Sequence, residues 1–240
     1  MAPRQSMLVV SAHAADFVWR AAGAIALHTA AGGTATVVCL SYGERGESGD
    51  LWREPGQTVE AVKTRRHAEG QKAAAEVGAD YVPLDLGDYP LEVPAEAMRR
   101  LVEAYLRTRP DVLLIHAPAD PFNPDHPVAS AAAVKARLLA MGAGGVPAAF
   151  PTIPPPSMFA FEPHQPDQCG FAPDTYLDVT AVFDRKLAAM GAMASQAYLA
   201  GHYRQRAEQR AYQSRYLGAG AEVRYVEAFQ RMTPELRDRL

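Results

Sequence analysis

Short runs of branched apolar residues alternate along this chain with longer stretches of helical character. Met7 to Val10 (MLVV) is brief and wholly apolar, the signature of a buried strand. Phe17 to Ala31 carries Ala, Leu and Ile along its length and is stopped by Gly32-Gly33, which predicts a helix. Thr34 to Ser41 (TATVVCLS) reads as a second strand. A strand, a helix and a strand in such quick succession predict a parallel sheet. The alternation continues with a helix over Val59 to Glu76 before Gly78, and a strand over Tyr81 to Leu86. A helix over Pro94 to Thr108, a strand over Asp111 to His116 and a helix over Pro127 to Met141 follow. Gly142 to Pro173 is rich in proline and cannot be regular helix. Within it Ser157 to Glu162 reads as a late strand. Phe183 to Arg215 reads as helix, and Ala221 to Phe229 returns to the sheet or closes over it. The expected fold is one Rossmann-like α/β domain over residues 1–240, a mainly parallel sheet sandwiched by helices.

Composition narrows the functional classes. The chain has 240 residues, long enough to bury a full core without a metal or disulfide staple. Its net charge of −3 argues against a general nucleic-acid binder. Cys39 and Cys169 form no metal-type pair, which predicts free thiols in a reducing compartment. No apolar run approaches the roughly 20 residues of a spanning helix, and no export signal is read, so the expected location is cytoplasmic. Gly43, Gly46 and Gly49 do not match the dinucleotide fingerprint, and no phosphate-binding loop motif is present.

Ligands of open α/β sheets bind beyond the carboxyl ends of the strands. Two of the loops there carry metal-type residues, His13 and Asp16 after the first strand and Asn123, Asp125 and His126 after the fourth. Two imidazoles and a carboxylate suit zinc and leave a coordination position open. The same residues have plainer uses. Asp16 could cap its helix, His13 could be a buried core histidine, and Asn123 or Asp125 could cap the helix after Pro127. Spacing alone leaves both readings open. The polar loop from Tyr42 to Gly56, with Glu44, Arg45, Glu47, Asp50 and Arg53, is long enough to be functional.

The order of several motifs resembles the LmbE-like (PIG-L) zinc deacetylase family. Ala12-His13-Ala14-Ala15-Asp16-Phe17 stands where that family has A-H-P-D-D-E, and Asn123-Pro124-Asp125-His126 where it has H-P-D-H. Arg66-His67-Ala68-Glu69 is similar to its R-x-x-E, and Lys186, Ser195-Gln196 and Glu227-Ala228-Phe229 to its C-terminal helix and closing strand. The resemblance implies a zinc ion on His13, Asp16 and His126, with Asp125 supporting the third ligand. It also implies a missing base, because the family's proton acceptor is replaced by Ala15, whose methyl group accepts nothing. The histidine that stabilises the family's oxyanion is replaced by Asn123, which donates a hydrogen bond but carries no proton. Losing such a group typically costs 10²–10⁴-fold.

The run A-H-x-A-D-F-V-W-R and the loop C-L-S-x-G-E-R-G-E-S resemble one branch of the family, the 4-oxalomesaconate hydratases of gallate degradation. That branch implies addition of water to a C=C bond conjugated to a ketone in a tricarboxylate. The expected acid/base pair is Glu47 and His164, with Glu44 in reserve. Arg20, Arg45, Arg53 and Arg66 are the expected carboxylate binders, since arginine grips carboxylates with two prongs. Two other outcomes stay open: an N-deacetylase with a relocated base, and an inactive metal-binding homologue. The charged run Arg204 to Arg215 reads as a solvated face or a subunit contact. The expected partners are a small di- or tricarboxylate and further copies of the chain, with no nucleic acid and no membrane.

Overall fold

The apolar runs do form a sheet, and their alternation divides the core in two. A computed structural model describes residues 5–144 and 150–236. The strands are β1 (Ser6–Ser11), β2 (Thr34–Cys39), β3 (Asp80–Pro83), β4 (Val112–Ile115), β5 (Ser157–Phe161), β6 (Thr175–Asp178) and β7 (Val226–Arg231). The helices are α1 (Asp16–Ala30), α2 (Gly49–Trp52), α3 (Val59–Glu76), α4 (Ala95–Thr108), α5 (Asp125–Met141), α6 (Phe183–Ala192) and α7 (Ala200–Ser214). The sheet order is β3-β2-β1-β4-β5-β7-β6. The first five strands run parallel, and β7 runs antiparallel between β5 and β6.

Successive strand residues face opposite sides of a sheet. Met7 and Val9 therefore join a core cluster with Phe17, Ile25, Val37 and Phe183 under α1, α3 and α6. Leu8 and Val10 join the other cluster with Val38, Leu101, Tyr105 and Ala133 under α4 and α5. Val9 pairs with Val37 on one side and Leu114 on the other. From β1 the chain builds outward to β3, then crosses back to lay β4 on the far side of β1. The loops after β1 and β4 thus diverge at a topological switch point, where such sheets hold ligands.

Besides the short α2 inside the expected loop Tyr42 to Gly56, the structure departs from the sequence reading chiefly in two places. The expected helix over Phe183 to Arg215 is broken: α6 ends at Ala192, and a 3₁₀ stretch over Ala194–Leu199 precedes α7. Polar contacts override helical continuity there. The Ser195 N–H donates to Glu69 Oε1 at 2.9 Å, and Gln196 takes non-helical φ/ψ angles. Strand β6 is the second departure, a four-residue edge strand behind Pro173 whose pairing with β7 no local pattern announces. The proline-rich segment is irregular apart from β5 and one 3₁₀ turn over the described residues, and its residues 145–149 lie outside them. No helix among the described residues is long and apolar enough to cross a membrane.

Candidate metal and active site

The turn after β1 is closed by its own acid. Asp16 is the first residue of α1, and its Oδ2 accepts the His13 N–H at 2.7 Å. Arg20, one helical turn on, donates from Nη1 to Asp16 Oδ1 at 2.9 Å. The capping use and the ligand use of Asp16 are therefore compatible. The carboxylate also meets three imidazoles, with His13 Nδ1 and His116 Nε2 each 3.3 Å from Oδ2 and His126 Nε2 3.3 Å from Oδ1.

The His13 and His126 imidazoles are each fixed from behind by a second carboxylate. His13 Nε2 lies 3.1 Å from Asp125 Oδ2, and His126 Nδ1 lies 2.8 Å from Asp120 Oδ2. An ionised carboxylate only accepts, so those two nitrogens carry hydrogens. In the neutral imidazoles the lone pairs are then on His13 Nδ1 and His126 Nε2, and both atoms are buried without a hydrogen-bond partner. The donor atoms of His13, Asp16, Glu47 and His126 lie within 4.8 Å of one another. Orphaned, carboxylate-backed imidazole nitrogens aimed at shared carboxylates are the arrangement expected of a divalent cation site.

The electrostatics agree. Burial works against the charged form of His13, but the surrounding carboxylates, Glu47 first and then Asp125 and Asp16, together outweigh it and raise the pKa well above the ordinary range. For His126 burial is likewise overcome, chiefly by Asp16, and the value rises to about 9. Burial opposes the ionised form of Glu47 too, yet the positive charge of His13 holds the carboxyl far below its usual value. The pocket is thus built to accept positive charge, either as protons or as a cation. His116 behaves differently: burial, and then the adjacent His126, push it down to about 3, so it is neutral. It stacks on His126 at 4.2 Å between ring centroids and braces that ring.

Beside this cluster opens a cavity of about 290 Å³, at the small end of ligand pockets. Glu47, Arg20, Asn123, His164, Gln196 and Tyr203 are among its walls. Asn123 Nδ2 donates to Glu47 Oε1 at 3.0 Å, and Gln196 Nε2 donates to the Glu47 carbonyl at 3.0 Å. The loop after β2 is therefore pinned so that Glu47 faces the two imidazoles. Ala15, by contrast, is wholly buried in the core cluster with Phe17 and Val18 and is absent from the cavity wall.

Several expected site residues lie elsewhere. Glu44 is buried near Lys63 and Asp88 and is not part of the imidazole cluster, because the Arg45 and Gly46 N–H groups bind the Asp88 carboxylate and hold that part of the loop there. The Arg45 N–H binds Asp88, and its guanidinium donates to the Asp88 carbonyl. Arg53 is on the surface, paired with Asp50. Arg66 is fully buried, but it donates to Ser195 Oγ at 2.9 Å and Gln196 Oε1 at 3.3 Å, so it props the cavity wall instead of lining it. Asp125 also differs: it backs His13, the first expected ligand, and Asp120 backs His126. Asp125 is further anchored by the Tyr89 and Leu91 N–H groups at 3.0 and 2.8 Å. The sequence reading missed Asp120 and Tyr203. Asp120 had only the loop after β4 to recommend it, whereas Tyr203 starts the buried stripe Tyr203, Ala207, Ala211 of an otherwise polar helix, a legible signal.

Residues 8–137 match the family model for GlcNAc-PI de-N-acetylase, PIG-L. The chain belongs to the PIG-L family. It is 44% identical to a 4-oxalmesaconate hydratase of Pseudomonas putida, over 99% of this chain and 93% of that protein. Among solved PIG-L relatives, GalB, the 4-carboxy-2-hydroxymuconate hydratase of Pseudomonas putida, superposes with a TM-score of 0.94 at 43% identity, covering 99% of both chains. A conserved protein of Thermus thermophilus superposes with a TM-score of 0.78 at 28% identity, covering 97% of both chains.

Proposed function

We propose that this protein is a zinc-dependent hydratase that adds water across the C=C bond of 4-oxalomesaconate in gallate breakdown. The observation that carries the reading is the exchange of bases. Ala15 fills the position where the resemblance puts the hydrolytic base, and Glu47 meets the imidazoles instead, in a chain 44% identical to a named hydratase. 4-Carboxy-2-hydroxymuconate, in the name of the second relative, is the enol form of the same keto acid.

We assign the metal to His13, Asp16 and His126, where a divalent ion supplies a Lewis acid for an anionic oxygen or for water. Glu47 is the base. It is held ionised, faces the cavity, and is oriented by the Asn123 amide. In the addition, Glu47 takes one proton from water and the water oxygen bonds to the carbon β to the ketone. The electron pair of the C=C bond passes to the neighbouring carbon, which then takes a proton. His164 is the other histidine facing the cavity outside the cluster, and it is neutral, lowered to about 4 by burial and by His202. Arg20 is the one of the four expected arginines in the cavity wall, and it binds a substrate carboxylate.

The test is direct. Added 4-oxalomesaconate should lose its conjugated ultraviolet band, and a chelator should abolish that loss. Glu47→Gln should lower turnover by at least ~10²-fold while the purified variant keeps its zinc. An unchanged rate removes Glu47 from the mechanism. Release of amine from an N-acetylglucosaminyl substrate would favour a deacetylase, and zinc uptake with neither activity a binding protein.

A further inference from the structure

The addition needs a proton donor to carbon, and His164 is neutral at working pH. Against it stands a buried phenol of the cavity wall. Tyr203 is 6% exposed and lines the cavity, and its Oη lies 3.4 Å from His164 Nδ1. The Arg20 guanidinium, on α1, acts on the same hydroxyl as a nearby positive charge. The ring is clamped: it stacks on Trp19 with centroids 5.5 Å apart and an interplanar angle of 22°, and His202 packs edge-on to it at 5.1 Å. A phenol so held has a fixed direction, a cation beside its oxygen, and a nitrogen through which it can be reprotonated.

We propose that Tyr203 is the general acid of the hydration, with Arg20 stabilising its phenolate and His164 returning the proton. The step balances as follows. As the water oxygen bonds to substrate carbon and Glu47 takes a water proton, the Tyr203 O–H bond breaks and its proton bonds to the neighbouring carbon. The O–H electron pair stays on the phenolate oxygen. His164 then accepts a proton from solvent at Nε2 and passes one from Nδ1 to the phenolate, while Glu47 releases its proton to solvent. No oxidant or co-reactant is consumed. Burial keeps the phenol protonated, partly offset by Arg20, so the donor is loaded at neutral pH. The groups acting on it are Arg20 and Asp16 from α1, the acid reinforcing burial and opposing the cation, His164 from the loop after β5, and His202 and Arg206 from α7.

This inference rests on the hydratase reading, and the two fail separately. Wild-type protein that hydrates nothing ends that reading. Wild type that hydrates while Tyr203→Phe is unimpaired ends only this inference. Tyr203→Phe keeps the stack on Trp19 and removes the proton. Its kcat should fall at least ~10²-fold, with KM within about threefold and the alkaline limb of the kcat–pH profile abolished. A kcat within about threefold of wild type, a loss confined to KM, or an unmoved alkaline limb overturns the proposal. Should the variant not fold by circular dichroism, 3-fluorotyrosine incorporated in its place decides. Its more acidic phenol should move the alkaline limb to lower pH, and a limb that stays in place overturns the proposal.

Discussion

Asp125→Asn tests the site at the point where structure and sequence disagree. Asp125 Oδ1 accepts the Leu91 N–H at 2.8 Å, and Oδ2 accepts from Tyr89 at 3.0 Å and His13 at 3.1 Å. Asparagine has one acceptor oxygen for these three donors. The less costly orientation keeps the oxygen toward Tyr89 and His13 and turns the amide against Leu91. One buried donor is then left unpaired, at a cost of roughly 1–3 kcal/mol. In a domain this size each kcal/mol shifts Tm by about 2–4 °C, so the variant should melt roughly 2–12 °C lower. His13 also trades a charge-assisted bond for a neutral one about half as strong, and loses the carboxylate that raises its basicity. Zinc affinity should fall ~10–100-fold, measured by competition against a fluorescent chelator. Asp120→Asn should weaken zinc over the same range through His126, without disturbing the backbone around Leu91. If Asp125→Asn keeps wild-type zinc affinity and Tm, then this carboxylate is not what fixes His13, and the account of the site is wrong.

Three further outcomes are expected. Arg20→Lys should lower kcat/KM ~10–100-fold, since a charged hydrogen bond contributes roughly 1.5–3 kcal/mol, in a steady-state assay on the tricarboxylate. Arg53→Ala should leave kcat and KM as they are, because Arg53 is on the surface with Asp50; a raised KM would put the loop after β2 over the cavity mouth. His164 carries a pKa lowered from 6.5 to about 4, so between those values the unfolded chain binds a proton that the folded chain does not. Stability should therefore fall as pH drops through that window and level off below it. His164→Gln lacks this contribution, so its melting temperature relative to wild type should rise from pH 7 to pH 5. A gap that does not change with pH refutes the assignment.

The sequence alone determined the α/β architecture, the order of its main elements and the loops that bear the chemistry. Those features are local: a run such as Met7 to Val10 is buried whatever surrounds it, and Gly78 ends its helix without help. The sequence also singled out His13, Asp16, His126 and Glu47, the first three through the order of motifs that resembles the family and the last as an acid on the long polar loop after β2. It could not decide which carboxylate stands behind which imidazole, since Asp120 and Asp125 lie close together in the chain and reach different histidines only through the fold. Nor could it sort the arginines, whose long stems let Arg66 end in a buried brace and Arg53 in solvent while Arg20 alone meets the cavity. Only the tertiary structure brought Tyr203, distant in the chain, against His164 and Arg20. Side-chain direction is set by packing between elements, and that information is not carried by any one of them.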